Sequence, residues 1–149
     1  MSKEKTIDDK QKFQEIISFI LVGIGVLGLS YMFVFRMSFM PYGYELVSAE
    51  ESQATVVSYD YLAREQDRMT KEEDHVDFGE FVTNAIERLK VSYLILYTGV
   101  LMSTIIFVYE FKRKEKAFLK SILNSGILVS FLPLLSIYNS IDRIEWLMS

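Results

Sequence analysis

Polar and apolar positions are segregated along this chain rather than interleaved. Three blocks, residues 16–35, 91–109 and 121–141, contain no charged side chain, and all the charge lies outside them. As helices rising 1.5 Å per residue, each block covers about 30 Å, the hydrocarbon thickness of a bilayer. Apolar runs in buried helices of soluble proteins usually end after about 10–14 residues. Each block holds about ten Leu, Ile, Phe and Val, which at roughly −0.3 to −0.6 kcal/mol apiece favour insertion by about 3–6 kcal/mol. The pattern predicts membrane-spanning helices over 16–35, 91–111 and 121–141. The third is the weakest, because it carries Asn124, Asn139 and the helix-kinking Pro133. Val47-Ser48-Ala49 has the small residues of a cleavage site but lies far beyond the first block, so that block reads as a retained anchor.

The polar segments set an orientation. Lys3, Lys5, Lys10 and Lys12 precede the first block, and Lys112, Arg113, Lys114, Lys116 and Lys120 join the second to the third. Residues 36–90 hold six Lys and Arg against twelve Asp and Glu. Basic residues concentrate on the cytoplasmic side. The expected layout is a cytoplasmic tail (1–15), an acidic extracytoplasmic segment (36–90), a basic cytoplasmic turn (112–120) and an extracytoplasmic tail (142–149). The expected location is a plasma or inner cell membrane. Tyr93 and Tyr109 bracket the second span as interfacial aromatics do, and Tyr138 and Trp146 mark the outer end of the third. Glu110 falls at the inner boundary beside Lys112 and Lys114, where pairing offsets its cost.

The segment between the first two spans is expected to be mostly helical. Pro41-Tyr42-Gly43-Tyr44 marks a turn, and Ser48-Ala49-Glu50-Glu51 and Thr70-Lys71-Glu72-Glu73 match capping boxes. Ala54, Val57 and Tyr61 recur at helical spacing between them, although Thr55-Val56-Val57-Ser58-Tyr59 suits a strand equally. Phe78, Phe81, Val82, Ala85, Ile86 and Leu89 then form one apolar stripe on a helix that continues into the second span. That stripe, with Phe78, Phe81, Val82 and Ile86 as contact candidates, needs a cover: the 54–69 segment, the membrane surface or a partner. The fold class expected is all-α, three spans with a small helical cap between the first and second.

Composition narrows the chemistry by exclusion. The chain has no cysteine and one histidine, His75, so neither a disulfide framework nor a thiolate metal site is available. A net charge of −4 without a basic patch argues against nucleic acid as a partner. Glu73, Asp74 and Asp77 lack the shaped loop that calcium needs, and they read as a solvated turn. Gly23, Gly25 and Gly28 spell G-x-G-x-x-G, yet the motif sits inside a span instead of between a strand and a helix.

Small residues in a span allow close helix approach. Gly25, Gly28, Gly99, Ser103, Ser125, Gly126 and Ser130 are therefore candidate packing positions, with Asn124 seeking a hydrogen-bond partner. No catalytic residue, cofactor site or metal site is expected. The reading is a multi-pass membrane protein acting through protein contacts with another membrane protein or with itself. An accessory subunit, a regulator and an immunity-type protein all fit. The alternative is an oligomeric, holin-like pore lined by Asn124, Ser125, Ser130, Ser136 and Asn139 of the third span.

Overall fold

The computed structural model describes the backbone of residues 2–74, 77–113 and 118–149, and the side chains from residue 12 onward within them except 113. His75, Lys114 and Lys116 lie outside the described residues, as do the side chains of Lys3, Lys5, Lys10 and Arg113. Helix α1 (Ser2–Tyr31) widens into a π-helical turn, Met32–Arg36. Strands β1 (Tyr44–Ala49), β2 (Gln53–Tyr59) and β3 (Glu65–Glu72) follow, and then the long helix α2 (Phe78–Arg113). Helix α3 (Phe118–Ser125), a 3-10 turn (Val129–Phe131) and α4 (Pro133–Met148) complete the chain.

The chain is not all-α: residues 44–72 form a three-stranded antiparallel sheet in the order β1-β2-β3. The helix expected over 54–69 is instead β2, the turn after it and most of β3. Val56, Val57, Thr55 and Tyr59 are β-branched or aromatic, and their side chains suit a half-buried pleated surface. β2 is the central strand and buries Ala54, Val56, Val57 and Tyr59. The two apparent capping boxes cap nothing. Ser48 lies within β1, and Glu50 and Glu51 make the turn to β2, where the Glu50 N–H donates to the Gln53 carbonyl at 2.8 Å. Thr70 pairs across the sheet with Thr55, their hydroxyls 3.0 Å apart.

Two helices are long and apolar enough to cross a membrane, Lys12–Arg36 and Phe78–Lys112; a third span exists if the bent pair Phe118–Ser125 and Val129–Met148 counts as one. The bend between that pair is 45°, and its origin is Gly126 rather than Pro133. Gly126 follows the last residue of α3 at φ +70°, the left-handed conformation that ends helices and that glycine adopts without a Cβ clash. Pro133 occupies the first turn of α4, where a missing N–H costs nothing.

Packing is uneven along the molecular axis. Helix α2 touches α1, α3, α4 and the sheet, and is the central post of the fold. The contiguous core lies at its N-terminal end, where Phe78, Val82, Ala85, Ile86, Leu89 and Tyr93 meet β1, β2 and α4. The predicted stripe is thus covered by the sheet, with the exception of Phe81, which remains 52% exposed. Away from this core the helices are apolar outward. Ile16, Ile20, Leu21 and Ile24 on α1, and Leu123, Leu128 and Leu135 beyond α2, are all more than half exposed. Side chains that would be costly to hydrate cover the helical part of the molecule, as lipid-facing helices require.

Candidate functional site

Where the sheet meets the N-terminal end of α2 and the C-terminal end of α4, a set of polar bonds fixes one to the other. The loop from the π turn to β1 bends sharply, with Ser38 at φ 47° and Tyr42 at φ 58°. For non-glycine residues this left-handed backbone persists only under firm support. The support comes from α2: the Tyr97 hydroxyl donates to the Phe39 carbonyl at 2.9 Å, and the Tyr93 hydroxyl donates to that of Pro41. From the far side, the Tyr42 N–H donates to the Asp60 carbonyl at 3.1 Å.

The loop delivers Ser38 to Glu45 of β1. The Ser38 hydroxyl donates to Glu45 Oε1 at 2.8 Å, and Lys90 of α2 approaches the same oxygen at 3.5 Å. The Tyr59 hydroxyl of β2 donates to Glu45 Oε2. One carboxylate therefore ties β1, β2, α2 and the strained loop together. Two further bonds seat the sheet on α4. Tyr44 Oη donates to Glu145 Oε1 at 3.2 Å, and Lys71 Nζ of β3 donates to the Leu147 carbonyl at 3.0 Å.

These bonds make the docking pH-dependent in both directions. Burial alone would raise the Glu45 carboxyl, but the hydrogen bonds from Tyr59 and Ser38 and the Lys90 ammonium outweigh it and hold Glu45 below its ordinary 4.5. A carboxyl depressed in the folded state contributes stability above its unfolded value, and that stability is lost as the pH falls through the depressed one. Burial pushes Tyr59 and Tyr44 up to about 12, aided at Tyr59 by the bond to Glu45 and at Tyr44 by the charge of Glu145. Their contributions are complete below 10 and are lost as the pH rises from there towards 12. Protection of the β2 amides from hydrogen exchange, corrected for intrinsic rates, is expected to hold steady at neutral pH. It should fall below 4.5 and above 10. In Tyr59→Phe the acid limb should shrink and end at higher pH, because Glu45 loses a donor and titrates closer to its ordinary value. An acid limb unmoved by Tyr59→Phe would refute the assignment.

Two clefts flank α4. The first, of about 560 Å³, opens between the sheet and α4 and is lined by Tyr42, Tyr44, Tyr59 and Tyr138 with Asp67 and Glu145. Tyr42 is 64% and Tyr138 70% exposed, so the cleft presents aromatic surface outward. The second, of about 910 Å³, runs between α2 and the opposite face of α4. No group of three or more metal-ligating side chains converges among the described residues.

The helix-packing candidates divide by position. Gly99 is a real close approach: a Cβ placed there would lie 3.2 Å from Ser130 Cβ, where α2 crosses the 3-10 turn. Ser103, Ser125 and Ser130 are buried in the helical region. The Ser125 and Ser130 hydroxyls donate to the Ile122 and Ile127 carbonyls at 2.9 and 2.7 Å, and Ser136 shares a 2.9 Å hydrogen bond with Ser92 of α2. Gly25 and Gly28 have nothing within 4 Å of a built Cβ, because α1 meets α2 through the face of Val26, Ser30 and Val34. Asn124 is exposed. Of the outer contact candidates, Phe78, Val82 and Ile86 lie in the core under the sheet.

Sequence reasoning missed Glu45, Lys90, Tyr44 and Tyr59, which join positions remote in the chain. The detectable trace is the strand-compatible run Thr55-Val56-Val57-Ser58-Tyr59. Comparisons with protein-family models, with curated proteins and with solved structures find no match to this chain.

Proposed function

We propose that this chain is a non-enzymatic, multi-pass membrane protein that works by presenting its outer sheet and the adjoining end of α4 to another membrane protein. In this reading it serves as an accessory, regulatory or immunity-type subunit. Its N-terminus is cytoplasmic, and the sheet and C-terminus are extracytoplasmic. The observation that carries the proposal is the tyrosine-rich cleft between sheet and α4, held rigid by the Glu45 and Glu145 bonds yet open outward. Tyrosine is enriched among residues that dominate binding energy, because it offers large contact area at small entropy cost. The charged β3 edge beside it, Glu65 to Glu72, discourages unspecific strand pairing while leaving main-chain groups for a matched partner.

A pore gains less support. Ser125 and Ser130 are buried, which leaves Asn124, Ser136 and Asn139 as the exposed members of that polar set, and Ser136 already bonds Ser92.

A photo-reactive cross-linker placed at Tyr138 in native membranes tests the reading. A discrete adduct with one protein species, reduced at least several-fold by Tyr42→Ala made elsewhere in the cleft, is the expected result. Both tyrosines are exposed, so neither change threatens the fold. Adducts with lipid alone, or adducts indifferent to Tyr42→Ala, would overturn it.

A further inference from the structure

We infer that the second cleft, between α2 and α4, is a binding site for an anionic phospholipid, whose phosphate sits on Arg88 and Arg143 at its outer rim. The inference rests on the membrane reading above and adds a ligand that reading does not require.

The cleft is amphipathic along its length. Arg88 of α2 and Arg143 of α4 both line it, as do Asn139 and Ser140. Arg88 lies just before the apolar block that starts at Val91, and Arg143 just after the one that ends at Ile141, so the two stand at the same depth. Both are exposed, and among the described residues neither has a carboxylate within ion-pair distance. Inward from the rim the lining changes to Val91, Ile95, Leu132 and Leu135, with Ser92 and Ser136 beside them bonded to each other. Ile95, Leu132 and Leu135 are 54%, 61% and 68% exposed, which leaves an apolar trough about as wide as the gap between two helices.

A phospholipid matches this order of surfaces. Its phosphate needs donors at the interface, its glycerol esters accept from hydroxyl and amide groups, and its chains need an apolar trough below. Guanidinium groups bind phosphate bidentately, and basic pockets between membrane helices recognise anionic headgroups. Glu87 also lines the cleft, so the rim carries two positive charges against one negative. A zwitterionic headgroup would gain little from that net charge, whereas an anionic one would gain roughly 1 kcal/mol per net charge near the surface, or about fivefold. The tyrosine cleft on the other side of α4 has the opposite sign, with Asp67 and Glu145. Anionic lipid is thereby directed to one face of α4 alone.

Leu135 lines the apolar part of the cleft and is 68% exposed, so Leu135→Trp in a Trp146→Phe background sets a single tryptophan where the acyl chains would lie. The full chain with these two changes is reconstituted in vesicles containing a small fraction of lipid brominated in its acyl chains, and the tryptophan fluorescence is read. Brominated phosphatidylglycerol is expected to quench at about one-fifth the mole fraction needed for brominated phosphatidylcholine. The difference should vanish in the Arg88→Gln, Arg143→Gln double variant and survive in Arg36→Gln, an interfacial arginine outside the cleft. Hydrogen exchange of the β2 amides confirms that each variant is folded. Equal quenching by the two lipids, or a preference untouched by the double variant, would overturn the lipid site while leaving the membrane reading intact. Displacement of the preference by soluble glycerol phosphate would overturn it in favour of a free-phosphate site. No quenching by either lipid would instead remove the membrane reading, and the inference with it.

Discussion

Gly79→Val is expected to lift the sheet off α2, destabilising the outer domain by about 3 kcal/mol, the upper end of what overpacking costs. Gly79 is buried in the first turn of α2, directly under the β1–β2 turn. A Cβ there would stand 2.0 Å from the Glu50 carbonyl oxygen and 3.0 Å from its carbon, distances that no side chain tolerates. The obstacle is backbone, and that backbone is committed. The Glu50 N–H donates to Gln53, the Gly79 N–H reaches the Glu51 carbonyl at 3.4 Å, and the Glu73 N–H donates to Ser52 at 2.8 Å. Either the turn breaks these bonds or α2 shifts and exposes Phe78. Exposed glycine in a helix normally makes replacement favourable, by up to about 1 kcal/mol for alanine. Gly25→Ala and Gly28→Ala should follow that rule, since nothing lies within 4 Å of either site. Amide exchange in detergent micelles, compared for β2 and for the middle of α2, separates the cases. Gly79→Val should deprotect β2 at least tenfold and leave α2 unchanged. Full protection of β2 in Gly79→Val would show that the turn does not rest where it is drawn.

This glycine also illustrates what the amino-acid order conceals. The two long apolar helices were legible because crossing a bilayer imposes one demand, continuous apolarity over about 20 residues, that needs no tertiary knowledge. The outer stripe on α2 was legible for a similar reason, since Phe78, Val82, Ala85, Ile86 and Leu89 declare a helix face by their spacing. What covers that face was not. β3 reads Glu-Gln-Asp-Arg-Met-Thr-Lys-Glu, largely good helix formers, and becomes a strand only because β2 offers it a ladder. The turn before it lacks glycine. The Asp60 carboxylate instead accepts from the Leu62 and Arg64 N–H groups at 2.8 and 2.9 Å, while Ala63 takes φ 56°. Bulges after Leu46 in β1 and after Ser58 in the β2–β3 pairing further blur the two-residue period that signals strands. Gly126 is visible as a glycine in the sequence, but the conformation that ends α3 is not. Its positive φ makes it a helix terminator, and only the backbone reveals that.

Reversing one charge of the Glu45–Lys90 pair should be nearly as damaging as Gly79→Val, and reversing both should repair part of the damage. Glu45→Lys sets two ammonium groups where the native pair stands 3.5 Å apart, at positions only 28% and 18% exposed. Solvent still reaches the site, so its cost lies between those of a surface pair and a fully buried one, roughly 2–3 kcal/mol. Part of that loss belongs to neighbours. Ser38 and Tyr59 aim their hydroxyl protons at Glu45, and a lysine there would leave both donors without an acceptor. Lys90→Glu is expected to do less harm, because the Ser38 and Tyr59 bonds survive it. The double reversal, Glu45→Lys with Lys90→Glu, restores the attraction but not the two donated hydrogen bonds, so about half the stability should return. A double-mutant cycle on β2 amide protection measures the coupling. A coupling energy well above that of exposed ion pairs, about 0.2–1 kcal/mol, places the pair among the structural bonds of the sheet. Coupling near zero would mean that solvent screens the pair and that the Tyr59 and Ser38 bonds alone hold Glu45. The cycle thus decides whether charge joins Glu45 of the sheet to α2, and so whether added salt should lower the protection of the β2 amides.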